Sequence, residues 1–254
     1  MSDRIRAHCR ELNRCNQRGG RMLSLFDLLR AETVSLELAA FLMAEVKSGT
    51  SFLVGARPGG AGKTTVMGAL LNLVAPDCRL LAATEDVLRR MREAPPSEPT
   101  CVVCHEIGRG PYFAYLWGEG LRRYCALAES GIQLATNLHA DDLDEAEEQI
   151  CRQNRVSVAH WNAFRLQLFL RVEGGPGNPR RRVVKVYQFS DGKHQLVYDA
   201  SDRVRLPAGP LCRLSADASL YDQCLDFLET GLADGIETID ATRERFVRSF
   251  GVAE

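Results

Sequence analysis

The sequence predicts an α/β fold built on a mostly parallel sheet, on three observations. Short apolar runs and helical patterns alternate from residue 51 to about 150; one run leads through a glycine-rich turn into a helix; and the later runs end in acidic or histidine residues. Alternation of this kind buries a parallel sheet beneath helices on both faces. The composition agrees. The 254 residues are 45% apolar and 26% charged, which supports a sizeable core and excludes disordered or collagen-like chains. Lys+Arg 32 and Asp+Glu 33 leave a net charge of −1, so no global field points to nucleic acid or a membrane surface. Lysine occurs only at 47, 63, 185 and 193, and the rest of the basic set is arginine.

Residues 1–21 carry Arg4, Arg6, Arg10, Arg14, Arg18 and Arg21 against Asp3 and Glu11, and Gly19-Gly20 follow. This stretch reads as a basic arm or a short solvated helix on a flexible joint. It lacks the apolar run of a secretory leader. Leu25, Leu28 and Leu29 then share a helical face. Ser35 offers an N-cap to a helix striped with Leu38, Phe41 and Leu42 that stops at Gly49. Ser51–Ala56 reads as a strand, 62–73 as a helix, and Arg79–Ala83 and Cys101–His105 as further strands. Residues 111–130 read as a helix, with Trp117, Leu121, Tyr124, Cys125 and Ala128 at helical spacing. Ile132–Leu138 reads as a buried strand, and Asp141, Asp142 and Glu145 open another helix. After residue 160, the segments 164–172, 182–189 and 195–198 read as antiparallel strands, the first two joined by a Gly/Pro-rich turn. Two acidic helices over 217–254, parted by Gly231 and Gly235, close the chain. The division expected is an arm at 1–21, a core at 22–200 and a helical segment at 201–254.

Nowhere do 18 uninterrupted apolar residues provide a conventional membrane span. Nine cysteines are an odd number, and they read as reduced thiols filling the core. Cys101-Val-Val-Cys104 lacks a second pair, and a strand would place its two thiols on opposite faces, which argues against zinc. His8-Cys9 with Cys15 is weaker still. Arg180-Arg181-Arg182 sits at a hairpin tip without aromatic neighbours and reads as solvated charge.

The chemistry concentrates in Phe52-Leu53-Val54-Gly55-Ala56-Arg57-Pro58-Gly59-Gly60-Ala61-Gly62-Lys63-Thr64-Thr65. Successive backbone N–H groups wrap a polyphosphate only where no Cβ blocks them, hence Gly59, Gly60 and Gly62. The helix that follows adds oriented donors and partial positive charge. Lys63 is placed to reach the β- and γ-phosphates, and the Thr64 hydroxyl to join a Mg²⁺ shell. The P-loop pattern has glycine where this chain has Arg57, whose side chain can reach toward phosphate. Hydrolysis also needs a carboxylate to orient water and a group that senses the γ-phosphate. Glu85, Glu106 and His139 follow three strand-like segments, and ligands of parallel sheets sit at the carboxyl ends of strands. These residues are therefore expected to converge on Lys63.

Over roughly residues 22–200 these motifs resemble the secretion-type ATPases of type II and type IV secretion and pilus systems. Pro58, Gly60, Gly62, Lys63, Thr64 and Thr65 match the family's Walker A loop, with Gly59 and Ala61 completing the cradle. Glu85-Asp86 look like its acidic box, Thr100–Glu106 like its Walker B strand, and SGIQLATNLHADDLDEA like its His box, matching Gly131, Thr136 and His139-Ala140. The resemblance implies a RecA-like P-loop core binding ATP and Mg²⁺, with Glu106 polarising the attacking water, Glu85 assisting and His139 reporting the γ-phosphate. It also implies a cytoplasmic homo-oligomer, hexameric in the family, docked on an inner-membrane platform protein. The departures are Arg57, Thr100, His105 and Ile132 at motif positions, Arg109 one residue beyond the family's arginine, and no room in the leading residues for the family's N-terminal domain. They favour, as the alternative, a nucleotide-binding scaffold with little hydrolysis. A nucleic-acid translocase is a third reading, which the lack of a basic, aromatic-studded surface disfavours.

Overall fold

The computed structural model describes residues 2–16, 19–57, 59–175, 177–201, 211–215 and 217–251. Helix α1 (Asp3–Cys15) starts at Ser2, whose hydroxyl accepts the Ile5 N–H, and buries Ile5, His8, Cys9, Leu12 and Cys15. Of the two readings, arm or short solvated helix, a helix forms, but it is docked on the core through one face rather than solvated all round. Cysteine and histidine, weak hydrophobes, make up much of its inner stripe, while the arginines stay outside. Helix α2 (Leu25–Arg30) opens with a Ser24–Asp27 capping box, and α3 (Leu36–Lys47) is capped by Ser35 and buried along most of its length. Strand β1 (Phe52–Gly55) is wholly buried and leads to α4 (Lys63–Leu71).

Strand β2 (Arg79–Ala82) is followed by α5 (Glu85–Glu93), capped by Thr84. This helix escapes the sequence reading because it buries only Val87 and Leu88 among charged residues. Strand β3 (Thr100–Ile107) is buried throughout, so Glu106 lies within it. The expected helix over 111–130 is shorter. Residues Tyr115–Leu116 form β4 beside β3, and α6 (Glu119–Ala126) begins only after Gly118, continuing as a 3-10 turn to Ser130. The positive φ of Ala114 (54°) and Gly118 (59°) interrupts any helix there. Strand β5 (Gln133–Leu138) precedes α7 (Leu143–Glu147), which Asp142 caps and which widens to π geometry over Glu148–Gln153. Helix α8 (Val158–Asn162) leads to β6 (Leu166–Glu173), β7 (Arg180–Ser190) and β8 (Lys193–Asp199). Three helices end the chain: α9 (Leu211–Leu214), α10 (Ala218–Ala233) and α11 (Ile239–Phe250). The break between the last two falls at Gly235, while Gly231 lies inside α10 against the Phe26 ring.

One sheet runs in the order β2-β3-β5-β1-β6-β7-β8, with β4 beside β3. The strands from β2 to β6 pair parallel, and β6, β7 and β8 pair antiparallel. Strand β5 stands between β1 and β3, so the chain has the mixed α/β, RecA-like arrangement that its sequence predicts. Apolar side chains form two layers. One face of the sheet is covered by α1 to α4, α10 and α11, the other by α5 to α8. Cys101 belongs to the first layer and Cys104 to the second, as strand alternation requires. The described cysteines are free thiols, and among the described residues no group of three or more His, Cys, Asp or Glu is arranged to hold a metal. No described helix is long and apolar enough to cross a membrane.

Candidate functional site

The carboxyl ends of β1, β3 and β5 define the site. Gly55 closes β1 where a Cβ would come within 2.7 Å of the Ala140 carbonyl oxygen and of the Phe169 ring. Only glycine lets the loop after β5 come this close. The turn that follows takes left-handed backbone at Gly60 (φ 84°) and Gly62 (φ 94°), which glycine tolerates without strain. Gly62 is the N-cap of α4 and brings no capping side chain, and Val66 donates back to the Gly62 carbonyl at 2.9 Å. The amides of the first turn therefore open onto the loop with the positive end of the helix dipole behind them. Ala61 is buried, Gly59 exposed, and Thr64 and Thr65 half-buried at the start of α4; Pro58 lies outside the described residues.

Lys63 is 7% exposed, and its Nζ donates to the Ala56 carbonyl at 3.1 Å. The same nitrogen stands 3.3 Å from His139 Nδ1 and 3.8 Å from Glu106 Oε1. His139 Nε2 lies 2.5 Å from Glu106 Oε1, and its Nδ1 lies 2.9 Å from the Arg57 carbonyl. With Nε2–H directed at the carboxylate, Nδ1 has two incompatible partners. With its proton on Nε2, the ring accepts a hydrogen bond from Lys63 at Nδ1, so the Arg57 carbonyl faces a nitrogen already engaged by the lysine. Asn137 Nδ2 donates to the His105 carbonyl at 2.9 Å, tying β5 to β3 where their register shifts beside Glu106.

Lys63, Glu106 and His139 are therefore in contact, and Glu85 is outside that contact. It opens α5 after the edge strand β2, and its exposed carboxylate pairs with Arg123 of α6 at 3.1 Å. Arg57 is turned toward the loop after β5. Its N–H donates to Asp141 Oδ1 at 2.7 Å and its Nε to Glu145 Oε2 at 2.9 Å, with a second guanidinium nitrogen also on Glu145. The Asp141 N–H donates to the same Glu145 oxygen at 3.0 Å. The side chain reaches the Glu145 carboxylate near the start of α7, so the arginine staples turn to loop instead of taking the reach toward phosphate that its position allows.

Four residues around the turn escape the sequence reading. Asp141 and Glu145 read as helix-start residues, and nothing in their spacing from Arg57 reveals that both accept hydrogen bonds from it. Arg181 of β7, read as solvated charge, donates from Nε to the Gly60 carbonyl at 2.8 Å. His105, one residue before Glu106, lies 3.3 Å through Nε2 from the Cys15 thiol at the end of α1. Burial, then the Arg14 charge, lower the His105 pKa to about 4, and burial raises the Cys15 thiol to about 12. A neutral imidazole therefore accepts the thiol proton. A cavity of about 520 Å³ lies elsewhere, among α1, β2 and α11, lined in part by Arg4, His8, Cys78 and Arg243.

Glycine-rich turn, buried lysine, carboxylate and histidine meet at the carboxyl ends of the parallel strands of an α/β protein. No protein-family model matches the sequence, and no curated protein does. Solved structures similar to the chain include the VirB11 ATPase of the Brucella suis type IV secretion system, in complex with sulphate, at 17% identity over 65% of this chain and 54% of that one (TM-score 0.42). They also include the ATPase DotB of Legionella pneumophila, at 10% identity over 87% and 64% (TM-score 0.43). The Yersinia pseudotuberculosis ATPase DotB is similar at 9% identity over 90% and 63% (TM-score 0.46). The chain spans between half and two thirds of the length of these proteins. Likeness at this level concerns parts of the fold and assigns no chemistry to individual residues.

Proposed function

We propose that the chain is a Mg²⁺-dependent ATPase of the secretion or pilus type. The contact of Lys63 with Glu106 and His139, at the mouth of a turn whose amides lack a side-chain cap, carries this reading. The donor set fits a nucleotide and its metal. Backbone amides from Gly59 to Thr65 and the Lys63 ammonium take phosphate oxygens, and the Thr64 hydroxyl takes Mg²⁺, which supplies charge neutralisation on the phosphates. Glu106, already in a hydrogen bond with His139, orients and deprotonates the attacking water. His139 changes partner as the lysine leaves for phosphate, and so registers the γ-phosphate. By resemblance the protein works in the cytoplasm as a homo-oligomer, a hexameric ring on an inner-membrane platform protein, and nucleic acid is not its partner.

Phosphate release at saturating Mg²⁺–ATP, measured beside a binding titration, tests the assignment. Lys63→Ala is expected to lose nucleotide binding, and Glu106→Gln to bind ATP while losing hydrolysis by at least about a hundredfold, the scale of a lost acid–base group. Turnover by Lys63→Ala at the wild-type rate would refute it. The engagement of Glu85 with Arg123 favours the second reading, a nucleotide-binding scaffold, because it leaves one carboxylate at the lysine. Binding without phosphate release by the wild-type protein decides for the scaffold.

A further inference from the structure

The hairpin of β6 and β7 lies over the glycine-rich turn and places one arginine on it. Arg181 Nε donates to the Gly60 carbonyl at 2.8 Å. Its stem packs across the turn's last glycine, so that a Cβ on Gly62 would stand 3.1 Å from Arg181 Cδ. In a trans peptide the C=O and N–H of one plane point in opposite directions. The chain has no cis peptide among the described residues, so a Gly60 carbonyl held toward the hairpin turns the Ala61 N–H away from it. Gly60 lacks a Cβ and has φ 84°, a region where a glycine peptide rotates at little steric cost. Nothing within the residue itself holds this plane.

We propose that Arg181 is a positioning residue for phosphate binding: by fixing the Gly60–Ala61 peptide it keeps the Ala61 N–H aimed into the phosphate hollow before ligand arrives. This rests on the nucleotide-binding reading above and adds to it a residue outside the turn. The function assigned is pre-organisation, since ordering a mobile donor in advance removes that cost from binding. Arg181 touches the turn through a carbonyl and not through ligand. The effect therefore falls alike on diphosphate and triphosphate, and any side chain with one donor at that point supplies part of it.

Equilibrium titration with Mg²⁺–ADP and with a non-hydrolysable ATP analogue, on the full chain, tests this. Arg181→Ala is expected to weaken both ligands by a similar factor, about fivefold to tenfold, the worth of one hydrogen bond. Arg181→Lys is expected to recover much of the loss, Arg180→Ala to bind as wild type, and kcat at saturation to change little in all three. In ¹⁵N spectra the Ala61 amide of Arg181→Ala should broaden or shift in the free protein, which a loss of general stability would not confine to that residue. Wild-type affinity in Arg181→Ala overturns the inference, and so does a loss confined to the triphosphate analogue, which would mean direct contact with the γ-phosphate. Absence of binding by the wild-type protein itself overturns the nucleotide reading, and this inference with it.

Discussion

Arg57 occupies the place of a motif glycine and commits its amide, its carbonyl and its guanidinium to the loop at 139–145. These contacts differ in worth. The guanidinium is 62% exposed and its Glu145 partner 29%, so the ion pair is screened and contributes little, about 0–1 kcal/mol. The amide's bond to Asp141 fixes the backbone at the entrance to the turn. Arg57→Gly is accordingly expected to change stability in urea by less than about 1 kcal/mol and to leave nucleotide affinity nearly intact. Asp141→Ala removes a charge-assisted bond to main chain, and a loss of about 1.5–3 kcal/mol is expected. If the order is reversed, the side chain and not the backbone holds turn to loop. Lys63 was legible because its neighbours announce it; Glu145 was not, since nothing in the spacing of 57 and 145 pairs them. Sequence reading finds residues whose role is set by near neighbours and misses those, like Arg181, defined by a distant carbonyl.

Among the elements, the strands and long helices were legible because burial imposes a period on them. Strand β1 follows the apolar run Phe52-Leu53-Val54, and α3 an apolar face from a serine cap to a glycine stop. The failures have physical causes. Residues 111–118 carry helix-compatible side chains, but Ala114 and Gly118 adopt positive φ and the segment pairs with β3 instead. Helix α1 hid its apolar stripe in cysteines and a histidine. That docking has a pH consequence at the junction with β3. His105 is buried, contacts Cys15, meets the Phe113 ring edge-on at 5.3 Å and lies near the Arg14 charge. With a folded pKa of about 4 against 6.5 unfolded, it takes up its proton more readily in the unfolded chain. Between those values the unfolded state binds more protons, so stability rises with pH and is lost as pH falls from about 6.5 to 4. His105→Leu is expected to reduce the slope of stability against pH in that window by up to about 1.4 kcal/mol per pH unit. His8 and His194, also lowered by burial, are present in both proteins and cancel in the comparison. Equal slopes would place the acid sensitivity elsewhere.

For the molecule as a whole, helices α10 and α11 are part of the same apolar layer as α4, the helix that starts at the glycine-rich turn. The connection runs through Arg243 of α11, which is 2% exposed and whose partners are main-chain carbonyls: Asn72 at 3.1 Å, Val74 at 2.6 Å, Ala75 at 3.0 Å and Pro76 at 3.3 Å. These oxygens gather at and just beyond the C-terminal end of α4, where the helix dipole is negative. Asn72 returns a bond from its side-chain amide to the Ile239 carbonyl at 2.9 Å. Burial pulls the guanidinium down to about 10, and it remains charged at neutral pH, so a full positive charge closes one end of α4 while the uncapped amides wait at the other. Truncating the arginine leaves several carbonyls without their donor inside the protein, a penalty that applies to each. Arg243→Ala is expected to cost at least about 3 kcal/mol, read as a lower urea midpoint. Arg243→Lys is expected to recover less than half, because an ammonium lacks the planar fork that spans four carbonyls. Arg245→Ala, one turn face away and paired with the exposed Asp234, serves as the control and should lie within about 1 kcal/mol of wild type. Should Arg243→Ala unfold no more easily than Arg245→Ala, the terminal helices would be an appendage, and the far end of α4 would be held by the sheet alone.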